Sequence, residues 1–297
     1  HMMDIKIGWI GTGKMGGPMS CNIITAGGQV TLFDPIPENV SGVVAAGGTA
    51  AASNVALAAV SEIVFSMIPN DAVLRFVTLG EAGILAVMKP GSIYVDMSTV
   101  SPEVSAEVSA AAEAAGIAYL RAPVSGSIAL AEAGKLTIMV SGPAAAYERC
   151  EPIFDAMGAQ NFYLGDGDQA RYLKLVINLL VGTTGAVLAE ALTLGRKGEL
   201  DWNQMIDVIG VSAAASPYIQ YNVAPLKARD FTPQFTTEQM VKDSRLISEA
   251  GHAAGVPLAI GDAMLATFEQ TIEAGYGGEN LTAAIKMIEA KSGLDEL

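Results

Sequence analysis

Residues 5 to 34 read as a strand, a glycine turn that opens a helix, and a second strand ending on a carboxylate. Ile5-Lys6-Ile7-Gly8-Trp9-Ile10 runs into Gly11-Thr12-Gly13-Lys14-Met15-Gly16, and after a helix-compatible stretch the chain reaches Val30-Thr31-Leu32-Phe33-Asp34. Few folds accept that order. It commits the start of the chain to a βαβ unit whose turn carries a G-x-G-x-x-G spacing.

Each residue of the turn has a physical task. Gly11 permits the tight turn, Gly13 admits a pyrophosphate close to the backbone, and Gly16 lets the helix lie against the sheet. Lys14 and Met15 sit between them at the helix start, where free N–H groups face an anion. Asp34 lies 23 residues after Gly11, near the spacing of a carboxylate that accepts from the adenosine ribose hydroxyls and repels a 2′-phosphate. The motif therefore points to NAD in preference to NADP.

The rest of the first half alternates short β-rich runs with alanine-rich helical stretches. Strands are predicted at 63–68, 92–96, 117–120, 136–140 and 161–164, and Ser101-Pro102-Glu103 marks a helix start. The alanine-rich tracts at 44–59 and 106–118 read as packed helices. Such alternation implies a parallel sheet covered on both faces. From about residue 169 only helical windows remain, near 170–197, 202–214, 236–254, 257–274 and 280–292. Asp201 with Gln204 resembles a capping box at one start, and Gly198, Gly255 and Gly275 fall at helix ends. The expected architecture is α/β: an N-terminal Rossmann-type parallel-sheet domain over 3–165, then an all-helical domain over 166–297.

Seventeen basic against 31 acidic residues give a net charge of −14, which repels nucleic acid and anionic membrane surfaces. An anionic substrate would need a local cluster of positive groups. With Cys21 and Cys150 as the only cysteines, a disulfide framework is not expected and a reducing, cytoplasmic setting is. His1-Met2 reads as a tag remnant, and no secretory leader is expected ahead of the first strand. The apolar stretch Leu173 to Leu194 approaches membrane-span length but carries Lys174, Asn178 and Glu190, so a helix of the protein core is expected. The helical part is small and very apolar, which implies a homodimer or homotetramer.

The inventory removes several chemistries. His1 and His252 are the only histidines, so neither a Ser-His-Asp triad nor a Cys/His zinc site is available and no metal is expected. Lys174 stands early in the apolar helix, where burial lowers a lysine toward a useful base range. Asn178 follows four residues later on the same face. The pair can move a proton and hold a substrate oxygen, or Lys174 can simply snorkel from the helix start beside a core asparagine. The loop Ala122-Pro123-Val124-Ser125-Gly126-Ser127 follows a strand and can hold a carboxylate, or be an ordinary turn.

Together these segments resemble the β-hydroxyacid dehydrogenase family, that of 3-hydroxyisobutyrate dehydrogenase and tartronate semialdehyde reductase. The resemblance covers nearly the whole chain. It rests on Gly11 to Met19, Ile68-Pro69-Asn70, Asp96-Met97-Ser98-Thr99, Ala122 to Gly126, Lys174 to Asn178, and Lys242-Asp243. It implies Lys174 as the catalytic acid/base with Asn178 as companion, and Ser125, Gly126 and Ser127 as the substrate-carboxylate loop. Ile68, Pro69 and Thr99 would line the cofactor, and Lys242 would approach the nicotinamide and substrate. The implied activity is NAD-dependent interconversion of a small 3-hydroxy acid and its semialdehyde or keto acid, in a cleft between domains. Imine reduction on the same fold and a non-catalytic nucleotide-binding protein are the alternatives; Lys174 argues against both.

Four segments depart from the family pattern. Arg121 stands where Asp is usual, Ser127 replaces a second glycine, Ile177 replaces a frequent asparagine, and 278–283 is altered. Arg121 either binds a second anionic group or pairs with a nearby acid.

Overall fold

The computed structural model describes residues 1–297, which divide into two compact units, His1–Lys174 and Leu175–Leu297. The first contains β1 (Lys6–Ile10), α1 (Gly16–Thr25), β2 (Gln29–Phe33), α2 (Pro37–Ala45), β3 (Thr49–Ala50), α3 (Asn54–Ala59) and β4 (Ile63–Ser66). It continues through α4 (Asp71–Thr78), β5 (Ile93–Asp96), α5 (Pro102–Ala114) and β6 (Ala118–Arg121). These six strands form one sheet in the order β3-β2-β1-β4-β5-β6, every neighbouring pair parallel. The order reverses between β1 and β4, and in such sheets ligands bind outside the carboxyl ends of the strands at that reversal.

Both faces are covered, as fully buried parallel strands require. Ile7 and Trp9 of β1 pack with Met19 and Ile23 of α1 on one face, while Ile10, Val64 and Tyr94 meet Val104 and Val108 of α5 on the other. The start signal at Ser101 operates as predicted: its hydroxyl accepts from the Val104 N–H at 3.0 Å, with Pro102 in the first turn. Cys21 and Cys150 are free thiols, and burial pushes Cys150 up to about 12.

The parallel sheet does not include every predicted strand. β7 (Val124–Ser125), α6 (Ile128–Glu132), β8 (Leu136–Val140), α7 (Ala144–Met157) and β9 (Gly158–Tyr163) build a separate three-stranded sheet. There β7 runs antiparallel to β8, and β8 parallel to β9. The link through the short α6 is too brief for a parallel crossover, so β7 and β8 pair as a hairpin does. β3 is a further departure, a two-residue strand inside the alanine-rich tract read as helical.

α8 (Gln169–Lys197) runs from the first unit into the second. It is followed by α9 (Trp202–Ile209), α10 (Pro217–Lys227), α11 (Thr237–Ala254), α12 (Ala259–Thr271) and α13 (Ala284–Lys291). α10 falls outside the predicted windows because it holds Pro217 and Pro225; Ser216 caps it, and Pro217 occupies the first turn, where its missing N–H is harmless. Asp201 caps α9 by accepting from the Gln204 N–H at 2.8 Å.

α8 is long and apolar enough to cross a membrane by length and composition, and 44% of its most apolar window is buried inside the protein. Leu175, Leu188 and Leu192 on its inner face join Met240, Phe268 and Ile285 in the core of the second unit. Tyr172, Val176, Leu180, Val187 and Leu194 are exposed. Their spacing, mostly fours and sevens, makes one apolar stripe along the helix.

Candidate active site

The glycine turn leaves β1 at its carboxyl end. Gly11 has φ +94°, and a Cβ there would lie 2.1 Å from the Met67 carbonyl oxygen, so the turns after β1 and β4 touch backbone to backbone. Nothing lies within 4 Å of a Cβ built on Gly13. Lys14 is exposed, Met15 is half-buried, and α1 begins with no side-chain cap. An open glycine beside an uncapped helix start is the geometry that admits a pyrophosphate, so these residues fit the dinucleotide predicted from them.

Asp34 sits where β2 ends, half-buried. Its Oδ2 accepts from the Thr12 N–H at 2.9 Å and its Oδ1 from the Ile36 N–H at 2.8 Å. The carboxylate is thus fixed against the glycine turn. Asn39 Nδ2 also donates to Oδ1, at 3.4 Å; of the roughly four acceptor sites of a carboxylate, one remains, on Oδ2, for a ribose hydroxyl.

Ile68 and Pro69 follow β4, and Thr99 follows β5. The Ile68 N–H donates to Ser98 Oγ at 2.8 Å, and the Ser98 hydroxyl donates to Asp96 Oδ1 at 2.8 Å. The turns at 68 and 98 are therefore one hydrogen-bonded ledge anchored on a carboxylate that is fully buried.

The loop after β6 packs on the small sheet and opens α6. Ser125 pairs with Thr137 in the small sheet, and Gly126 has φ +141° with Leu136 and Leu130 crowding its missing side chain. The Ser127 hydroxyl accepts from the Leu130 N–H at 3.3 Å and so caps α6. Serine replaces glycine here as a helix cap. Arg121 resolves in favour of pairing: its Nε lies 3.0 Å from Asp168 Oδ1, just ahead of α8.

Lys174 is half-buried on α8, and Asn178 is buried one turn further on. Within the second unit, Asn178 Nδ2 donates to Asp243 Oδ2 at 2.7 Å, and Lys242 Nζ lies 2.8 Å from Asp243 Oδ1. Asp243, itself 1% exposed, fixes the orientation of the amide. No group of three or more His, Cys, Asp or Glu side chains is placed to hold a metal ion.

The sequence reading missed Arg171. It is 1% exposed, and its guanidinium lies 2.7 Å from Asp96 Oδ2. Burial alone would lower it, but Tyr119 and Asp96 more than offset that and hold it above its ordinary value. The available signal was an arginine three residues ahead of Lys174 in an apolar helix, with Asp96 as a buried strand-end carboxylate.

Residues 6–165 match the family described as the NAD binding domain of 6-phosphogluconate dehydrogenase. Residues 168–288 match that of the NAD-binding region of NADP-dependent 3-hydroxyisobutyrate dehydrogenase. The chain is 38% identical over 98% of its length to 2-(hydroxymethyl)glutarate dehydrogenase from Eubacterium barkeri, covering 97% of that protein. The chain belongs to the β-hydroxyacid dehydrogenase family.

A second member of the family, the NAD-dependent L-serine dehydrogenase of Pseudomonas aeruginosa, is 32% identical over 97% of this chain and 99% of its own. Among solved structures, 3-hydroxyisobutyrate dehydrogenase from Salmonella typhimurium superposes with a TM-score of 0.87 at 31% identity, over 96% of this chain and all of that one. As a β-hydroxyacid dehydrogenase the chain is a nicotinamide-dependent oxidoreductase.

Proposed function

We propose that this chain oxidises a small 3-hydroxy acid to its semialdehyde or keto acid with NAD, and runs the reverse reduction, Lys174 moving the hydroxyl proton. The whole-length relation to enzymes named for 2-(hydroxymethyl)glutarate and L-serine carries the reading. Both names describe a carboxylate whose neighbouring carbon bears CH2OH. When bound, the nicotinamide takes or gives the hydride.

The residues divide the remaining work. The first part of the chain, 3–165, holds the dinucleotide: Gly11, Gly13, Lys14, Met15 and Gly16 at the pyrophosphate, Asp34 at the ribose, and Ile68, Pro69 and Thr99 along the nicotinamide end. Ser125, Gly126 and Ser127 receive the substrate carboxylate. Lys174 Nζ takes the proton from the hydroxyl in oxidation and returns it in reduction. The Asn178 carbonyl, its amide oriented by Asp243, accepts from Lys174 Nζ and so keeps the lysine aligned with the substrate oxygen, and Lys242 adds positive charge. In a chain of net charge −14, Lys242 supplies a local cation that draws an anion in, and Lys174 adds a second only in its protonated form, the one that serves reduction.

Assaying a panel of 3-hydroxy acids with NAD and NADP tests the reading. Turnover of a hydroxy acid with NAD is expected; activity confined to C=N substrates would favour the imine-reductase alternative. Asp34→Ser is expected to raise the NAD Michaelis constant about tenfold and narrow the preference against NADP. A wild type that already prefers NADP would overturn the role given to Asp34.

The helical residues 166–297 carry the second half of the site and the oligomer contact. The stripe Val176, Leu180, Val187 and Leu194 is too apolar to face water comfortably, and a second copy covers it in a cytoplasmic homodimer or homotetramer. Light scattering should return a multiple of 30.6 kDa, and Leu180→Glu should reduce it toward that mass. A monomeric wild type, or one that partitions onto vesicles, would count against this arrangement.

A further inference from the structure

The first turn of α8 is held by a side chain, Arg171, that is not among the motifs quoted above. Arg171 Nε donates to Ser105 Oγ at 3.1 Å, Nη1 to the Ser98 carbonyl at 2.7 Å, and Nη2 to Asp96 Oδ2 at 2.7 Å and Tyr119 Oη at 2.8 Å. Four of the five guanidinium hydrogens are thereby used. The partners come from α5, from the turn after β5, from the end of β5 and from the second residue of β6. Just ahead of the helix, Asp168 is held by Arg121.

Stability alone does not account for this arrangement. A buried ion pair is often matched or exceeded by well-packed apolar side chains of similar volume, because desolvation consumes most of the Coulombic gain. A planar fork with four acceptors on three elements adds direction. It fixes both the axial position and the rotation of the helical turn that carries it. Lys174 lies three residues further on, displaced by about 4.5 Å along the axis and about 300° around it. Rotation or sliding at Arg171 is therefore delivered to Lys174. The same Asp96 that receives Arg171 also receives Ser98, which receives the Ile68 N–H.

We propose that Arg171 is a positioning residue that sets Lys174 against the nicotinamide-lining ledge at Ile68 and Ser98, using Asp96 as the common reference point. The proposal rests on Lys174 being the proton-transfer group. It predicts that loosening the guanidinium lowers the rate of the chemical step and leaves dinucleotide binding alone, because Asp96, Ser98 and Ile68 keep their own hydrogen bonds.

Arg171→Lys retains the charge on Asp96 and removes the fork. Its kcat is expected to fall about 100-fold, the effect of roughly 1 Å of misplacement at a reacting group. The NAD dissociation constant should stay within threefold, and the deuterium isotope effect at the carbinol carbon should rise as hydride transfer becomes rate-limiting. Tyr119→Phe removes one acceptor while both charges stay paired, so it folds even if Arg171→Lys does not, and it should lower kcat by several-fold with the same unchanged NAD affinity. Folded variants with wild-type kcat and isotope effect would overturn the proposal, as would a loss confined to NAD affinity. Lys174→Ala separates the two readings: if it remains active, the role of Lys174 fails; if it is inactive while Arg171→Lys is not, only the positioning role fails.

Discussion

Lys174→Ala is expected to lower kcat by about 1,000- to 10,000-fold, the upper range of what a positioned general acid–base contributes, with NAD affinity unchanged within twofold. The two expectations are separable because the dinucleotide turn, Gly11 to Gly16, and Asp34 are held by contacts of their own. Lys174 is half-buried and alanine is the best helix former, so the variant should remain folded, which a thermal melt checks. Small primary amines added to the variant should restore part of the rate, and the restored rate should follow the basicity of the amine. Single-turnover measurement of NADH formation checks this directly. A variant of near wild-type rate would mean that another group moves the proton.

What could be read in advance follows from how far each signal reaches along the chain. β1, the glycine turn, α1 and β2 form a local unit, and hydrophobic periodicity with glycine spacing was enough to locate them. The helix start at Ser101 was legible for the same reason, since cap, proline and first-turn acid are neighbours. α10 was not, because Pro225 near its end weakens a pattern that tertiary packing rescues. The small sheet was missed since the short strands β8 and β9 look alike in sequence whether they extend the large sheet or leave it. Helical spacing alone could put Lys174 and Asn178 one turn apart on the same face of α8. Arg171 could not be paired with Asp96, because the two lie 75 residues apart and only the folded sheet brings them together. Arg121 and Asp168, 47 residues apart, were likewise beyond local reading, and only the fold, by bringing the two side chains together, decided for ion pairing over anion binding.

Within the glycine turn, Gly13→Ala and Gly16→Ala should separate binding from folding. Nothing lies within 4 Å of a Cβ on Gly13, so the free protein should melt within about 2 °C of the wild type, as surface changes usually do. The added methyl would stand where the pyrophosphate has to approach, and the NAD dissociation constant should rise at least tenfold. Gly16 is a different case. A Cβ there would lie 1.9 Å from the Gly11 carbonyl oxygen and 3.2 Å from Trp9 Nε1. The Trp9 indole N–H donates to that same carbonyl at 2.7 Å, buried in the core beneath the turn. Backbone cannot yield as a flexible side chain does, so the clash must displace the Gly11 carbonyl and loosen the indole hydrogen bond. Overpacking with a weakened buried hydrogen bond amounts to about 2–4 kcal/mol, or roughly 5–15 °C in the melting temperature of a unit this size. Cofactor binding would fall with it, because the displaced carbonyl belongs to the turn itself. Thermal melts with and without NAD distinguish the cases: Gly13→Ala should keep its melting temperature and lose the NAD-induced rise, whereas Gly16→Ala should lose both. If Gly13→Ala binds NAD as tightly as the wild type, the dinucleotide does not pass over that glycine, and the anion site at the start of α1 must be drawn differently.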